Sequence, residues 1–348
     1  MRKCYIDNIR NGVILLLFPV HTFMIWNDFG KGFYIWAGES RILSTLIVLV
    51  NPWFMPVLFV LAGISARYSL QKRSAREFAI ERIRRLLVPF LGGLVLLVPF
   101  QTLYARKYLG HYEGGIGSNW VYFFTHLTDF TGYDGAFTPG HLWFILFLFL
   151  ISMAALAFFR FLPCDRVAVR VEKLSVPAVL GLFLPIWLLY YVGNFGGFSL
   201  GKNLALYLIG YYVLSNDQVM EKLEKKMCQL VLLYAVETVI LGAAYYMYSY
   251  YGDLWVNFVG WSGILVLLVI GKKFWNQKTV FTEYFREASY PIYILHQSIL
   301  VSLAYYVVKA LNSTIQEAAV ICAGSFVLTL GAYHLFRKIP YLKNLIGA

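Results

Sequence analysis

Long apolar runs separated by short polar breaks fill this chain from end to end. Ten of them, 9–27, 42–66, 86–105, 140–160, 176–193, 200–215, 229–250, 254–271, 288–308 and 316–336, have the length and character of membrane-spanning helices. The fifth and sixth are short, and the glycines at Gly193, Gly196, Gly197 and Gly201 leave a re-entrant turn open as an alternative there. The pattern predicts an all-α fold: a polytopic integral membrane bundle of about ten transmembrane helices, with residues 1–348 as a single membrane-embedded domain. The start, Met1-Arg2-Lys3-Cys4, leads into the first apolar run without a small-residue cleavage pattern, so that run is expected to be a retained span.

Composition sharpens this reading. The 348 residues are 59% hydrophobic and 14% charged, where a soluble domain carries roughly a quarter charged residues. The net charge of +12 reads as topology. With an inside N-terminus and ten spans, only Lys31, Arg41, Arg106, Lys107, Lys202 and Lys309 of the 30 lysines and arginines fall outside. That asymmetry predicts cytoplasmic termini and a cell-membrane location, most naturally the bacterial cytoplasmic membrane, with lipids as neighbours. Eight spans would keep the same sidedness. No basic stripe interleaves with polar loops, so nucleic acid is not an expected partner. The four cysteines, Cys4, Cys164, Cys228 and Cys322, have neither metal nor disulfide spacing.

Candidate chemistry starts in the first run. Arg10 and His21 are about three helical turns apart, so Arg10, Ile14, Leu17 and His21 share one face. Arg10 can stay at the membrane surface while His21 lies deep, and a neutral imidazole in a shielded cavity can act as a general base. A bundle histidine bonded to a neighbouring helix is the structural alternative. His296, in Ser289-Tyr290-Pro291-Ile292-Tyr293-Ile294-Leu295-His296, has a depth approaching that of His21, so the two could share a cavity or His296 could be an ordinary buried histidine. His141 follows Thr138-Pro139-Gly140, a helix start, and either faces an outside substrate or sits in an aromatic belt. Glu237 is the one carboxylate near the middle of a span and could pair with His21, His296 or an arginine, or serve as a proton site. His334, near the inside end of the last span, reads as a snorkelling or polar contact.

Arg82, Arg84 and Arg85 end a basic segment and enter the third span. Guanidinium forks suit phosphate, although on composition alone positive-inside anchoring and contact with lipid headgroups is the favoured account. The outside segment 106–139, with His111, Asn119, Trp120, His126, Asp129 and Asp134, is long enough for a lid or binding loop, with a loosely ordered connection as the alternative. No P-loop, dinucleotide fingerprint, zinc motif or nucleophile elbow appears, and no metal is expected.

Five segments in order carry a resemblance. They are Tyr5-Ile6-Asp7-Asn8-Ile9-Arg10 with His21; Asn51-Pro52-Trp53-Phe54-Met55-Pro56 leading to Leu61-Ala62-Gly63; Arg82-Ile83-Arg84-Arg85-Leu86-Leu87-Val88-Pro89-Phe90; Gly140-His141-Leu142-Trp143-Phe144; and Ser289 to His296. Together they resemble the membrane-bound acyltransferase family 3, and the first is also similar to the family's glucan-modifying branch. The resemblance implies a ten-helix enzyme that moves an acyl group, commonly acetyl or succinyl, from cytosolic acyl-coenzyme A (acetyl-CoA or succinyl-CoA) to a hydroxyl of an extracytoplasmic carbohydrate or glycoconjugate. It marks Arg10 with His21 as functional, and Arg82 with Arg85 as important. On this reading His21, His141, His296 and Glu237 are candidates for the catalytic site, and Arg10, Arg82 and Arg85 for the donor's phosphates. The rival is a transporter or flippase for a lipid-linked sugar or small solute, which Pro19, Pro52, Pro56, Pro185 and Pro291 within the spans would also suit. A sensor or assembly partner without turnover is a third reading.

Overall fold

The computed structural model describes residues 3–30, 32–195, 197–250 and 252–347; Arg2, Lys31 and Gly196, which enter the expectations above, lie outside them. The described chain is helical apart from loops and one antiparallel hairpin, Asn194–Phe195 with Phe198–Ser199. Among the described residues, seven helical stretches are long and apolar enough to cross a membrane: Cys4–Trp26, Ala75–Leu109, Gly140–Phe161, Met227–Tyr248, Asp253–Phe274, Val280–Ala310 and Thr314–Phe336.

The other three expected spans are shorter or broken, and proline explains two of the breaks. The run 42–66 divides into Arg41–Val50 and Pro56–Leu70 around a turn. Pro52 has no N–H to continue the first helix, and Pro56 suits the first turn of the second. The run 176–193 divides into Val176–Gly181 and Phe183–Tyr190, where Pro185 cannot donate to the Gly181 carbonyl. The chain then turns through the hairpin, with Gly193 and Gly197 both in the left-handed region at φ 59° and 92°. The run 200–215 is a helix, Leu200–Ile209, followed by a π-helical turn, Gly210–Leu214.

Two compact units divide the chain. The first comprises Met1–Val13, Val48–Ile83 and Phe147–Thr282. Its helices approach at glycines. A Cβ on Gly63 would lie 2.0 Å from the Tyr207 carbonyl oxygen, and one on Gly210 would lie 2.3 Å from that of Val60. In an apolar solvent, helices associate through such close backbone packing. Gly63→Ala is therefore expected to destabilise by about 1–3 kcal/mol. Gly331→Ala, where an added Cβ meets nothing within 4 Å, serves as the control. Equal thermal unfolding midpoints for the two variants in detergent would remove this packing account.

The second unit comprises Ile14–Ile47, Arg84–Leu146 and Glu283–Ala348. Here side chains satisfy carbonyls that proline leaves without a helical donor. Pro89 cannot donate to the Arg85 carbonyl, and the Tyr290 hydroxyl does so at 2.6 Å. Pro99 cannot donate to the Val95 carbonyl, and the Trp120 indole does so at 2.9 Å. Asn119, fully buried, donates to the Pro99 carbonyl at 3.0 Å. The segment 106–139 is thus folded onto the unit, with a helix at Ile116–Thr125. An aromatic and aliphatic core joins Ile25, Trp26, Phe33, Tyr34 and Ile35 to Leu300, Val301, Ala304 and Ile321.

Candidate functional site

Three histidines meet inside the second unit. His21 stands near the end of the helix Cys4–Phe23, two residues after Pro19. His141 lies in a 3₁₀ turn, Gly140–Leu142, that opens the helix Trp143–Phe161. Thr138 begins this turn by accepting from the Gly140 N–H at 3.0 Å. His296 lies in the helix Val280–Ala310, five residues after Pro291. The ring centroids of His21 and His296 are 5.2 Å apart, and those of His296 and His141 are 5.1 Å apart. Phe18 and Tyr293 pack against His296 at 5.8 Å each.

Hydrogen bonds give His21 and His296 one tautomer and His141 the other. The Leu17 carbonyl accepts from His21 Nδ1–H at 3.0 Å, which leaves the lone pair on Nε2. The Tyr293 carbonyl accepts from His296 Nδ1–H at 2.6 Å, so its lone pair is also on Nε2. That nitrogen is buried with no hydrogen-bond partner among the described residues. His141 is committed at both nitrogens: Nε2–H donates to the Ile294 carbonyl at 2.9 Å, and Nδ1 accepts from Gln101 Nε2 at 3.0 Å. The Tyr293 hydroxyl in turn donates to the His141 carbonyl. His141 is therefore tied twice to the helix that carries His296, and as bonded it has no nitrogen left for a substrate.

Gln101 completes the arrangement. Its amide nitrogen donates to His141 Nδ1 and to Ser298 Oγ, at 3.0 and 2.8 Å. Ser298 then donates to the Leu97 carbonyl at 2.9 Å. Both amide hydrogens are used, while Oε1 is buried without a partner among the described residues. Gly140, at φ 53°, keeps this corner open: a Cβ there would come within 3.2 Å of Gln101 Oε1 and 3.3 Å of Tyr34 Oη.

The segment after the first helix folds over His21. The Phe33 ring lies nearly parallel to it, 6.2 Å away at 23°. Tyr133, from the segment 106–139, donates to the Gly32 carbonyl and packs edge-on against Tyr34 at 5.1 Å. Burial pushes the Tyr133 phenol up to about 12 and the Tyr34 phenol well above its ordinary value, so both remain neutral hydroxyls across the physiological range.

The other candidates lie elsewhere. Glu237 belongs to the first unit, where Ser262 donates to its Oε2 and Oε1 is buried without a partner among the described residues. Arg10, also in the first unit, pairs with Asp7 at 3.1 Å. Arg82 ends a helix started by a capping box between Ser74 and Glu77, and its guanidinium lies 4.5 Å from the centre of the Phe78 ring. Arg85 is exposed in the π-helical turn Ile83–Leu87. His334 accepts from or donates to the Tyr284 hydroxyl at 2.8 Å, the polar contact expected of it.

A model described as an acyltransferase domain matches residues 5–334, nearly the whole chain. The chain belongs to acyltransferase family 3. Curated relatives of this acyltransferase include the glucans biosynthesis protein C of Salmonella gallinarum, of Salmonella typhi and of Salmonella typhimurium. Each is 21% identical over 383 residues, covering 99% of the acyltransferase and 94% of the relative. No solved structure matches. Among its described residues the acyltransferase has no group of three His, Cys, Asp or Glu side chains placed to hold a metal.

Sequence reasoning missed Gln101, Ser298 and Tyr293. Gln101 did carry a signal, since it is a lone amide inside the apolar run 86–105 and such groups rarely go unpaired in hydrocarbon.

Proposed function

We propose that this acyltransferase moves an acetyl or succinyl group from cytosolic acyl-coenzyme A to a hydroxyl of an extracytoplasmic carbohydrate or glycoconjugate, with His21 as general base. The observation that carries this reading is the His21 ring, held at Nδ1 by Leu17 so that Nε2 keeps its lone pair inside an aromatic-lined cluster. In the proposed reaction the acceptor hydroxyl oxygen attacks the thioester carbonyl while its proton passes to His21 Nε2. The carbon–sulfur bond breaks, and the departing thiolate takes that proton. An ester and a free thiol result, and His21 returns to its starting state. The glucan in the relatives' names supports a carbohydrate acceptor.

Arg10, Arg82 and Arg85 are proposed to contact the donor's phosphates, a role for which guanidinium forks are suited. We read the chain as ten spans with both termini cytoplasmic, in the bacterial cytoplasmic membrane. The distribution of lysine and arginine supports that sidedness. The family match runs through both compact units, which supports one acyltransferase domain over residues 1–348.

The test uses detergent-purified protein with acetyl- and succinyl-coenzyme A, measuring donor binding and glycan-dependent thiol release. Saturable binding with release that depends on His21 is expected. Absence of binding by folded protein would return the carrier reading to first place.

A further inference from the structure

The free polar atoms of the histidine cluster are all of one kind. His21 Nε2 and His296 Nε2 both carry lone pairs once their Nδ1–H groups are given to the Leu17 and Tyr293 carbonyls. Gln101 Oε1, three hydrogen bonds along the network from His296 through Tyr293 and His141, is a third acceptor. His296 and Gln101 are fully buried, and both of these atoms lack a partner among the described residues. A buried acceptor without a donor is costly. Such a site suits a ligand that brings hydrogen-bond donors. A thioester carbonyl brings none, whereas a sugar brings several on adjacent carbons.

We infer that the site takes a vicinal diol, one hydroxyl reacting at His21 Nε2 and its neighbour donating to His296 Nε2, so that His296 determines which sugar hydroxyl is acylated. This rests on the acyl-transfer reading above and adds the substrate's local structure to it. The ring centroids stand 5.2 Å apart, close enough for the two hydroxyls of one diol each to reach one ring with a hydrogen bond of about 2.8 Å. The two rings are held independently: His21 by its own helix, His296 through Tyr293, whose hydroxyl is anchored on His141. His296 gains no proton in the reaction. It accepts a hydrogen bond that a substrate lacking the second hydroxyl cannot supply, and discrimination of that type is strong because the enzyme's own buried atom is then left unpaired.

The test compares methyl β-D-glucopyranoside with its 2-, 3- and 4-monodeoxy derivatives as acceptors, at saturating acetyl- or succinyl-coenzyme A. Wild type is expected to lose about 10- to 100-fold in kcat/KM on one derivative that still carries the reacting hydroxyl. His296→Phe keeps an aromatic ring against Phe18 and Tyr293 but has no lone pair, and should treat parent and derivative alike. His296→Gln offers an amide oxygen and should restore part of the preference. The KM for the thioester should not move in either variant. Equal rates on all acceptors in wild type would overturn the inference, as would a preference that survives His296→Phe. A raised donor KM in that variant would assign His296 to the pantetheine amides and overturn it too. His21-dependent thioester cleavage without acylation of any glucoside would sink the diol while leaving acyl transfer standing. Loss of all His21-dependent cleavage would instead remove the reading on which the diol rests.

Discussion

Replacing His21 by alanine is expected to lower acyl transfer about 100- to 10,000-fold, the range that a positioned general base supplies. Donor binding should survive, because His21 is assigned to the proton and not to the nucleotide. The effect is large because the neighbouring rings are poor substitutes. His141 has both nitrogens bonded, and His296, fully buried, is assigned to the neighbouring hydroxyl. A single-turnover assay with bound donor separates the two quantities. His21→Ala protein that binds acyl-coenzyme A and releases thiol to acceptor at the wild-type rate would dismiss His21 as the base.

Gln101→Leu should have the next largest effect, and on two readouts at once. Leucine fills a similar volume but supplies no N–H to His141 Nδ1 or to Ser298 Oγ. A buried donor or acceptor left unpaired costs about 1–3 kcal/mol, and this substitution orphans His141 Nδ1 while Ser298 Oγ keeps only its bond to the Leu97 carbonyl. Thermal stability should fall accordingly. Activity should fall about tenfold or more, since His141 then loses the bond that keeps its Nε2–H directed at the Ile294 carbonyl, two residues before His296. Gln101→Glu is more severe in kind: a carboxylate oxygen facing the Nδ1 lone pair forces His141 to bind a second proton or to reverse its tautomer. Combining Gln101→Leu with Ser298→Ala should cost less than the two single changes added together, because both act through one network. Strict additivity would show that no such network operates.

The elements were more legible in the sequence than the site. Long apolar runs such as 229–250 and 254–271 have little choice but to be helices, because hydrocarbon offers no other partner for their backbone groups. The run 42–66 read as one span because hydropathy does not register a missing N–H, and Pro52 and Pro56 divide it. Within the site, Arg10 and His21 share a helix, so their spacing was readable. Depth alone suggested that His21 and His296 could share a cavity, but that His141 joins them was not readable, because it depends on how three distant segments pack. Gln101 was overlooked because its importance lies in what it touches. A single amide among apolar residues was visible, but its partners, His141 and Ser298, are 40 and 197 positions away. Glu237 shows the converse: conspicuous in the sequence, it is bonded to Ser262 in the other compact unit.

The Phe33 ring lying flat over His21 bears on a competition that every hydroxyl acyltransferase faces. A base able to activate a sugar hydroxyl can activate water as readily, and water is far more abundant. In the proposed reaction, wasteful hydrolysis of the thioester is restrained less by the chemistry of His21 than by the segment packed against it, where Phe33 lies nearly parallel to the imidazole and Tyr133 secures the chain at Gly32. The fidelity of the enzyme, counted as esters made per thioester spent, is then set by an aromatic roof that contributes no group to the reaction.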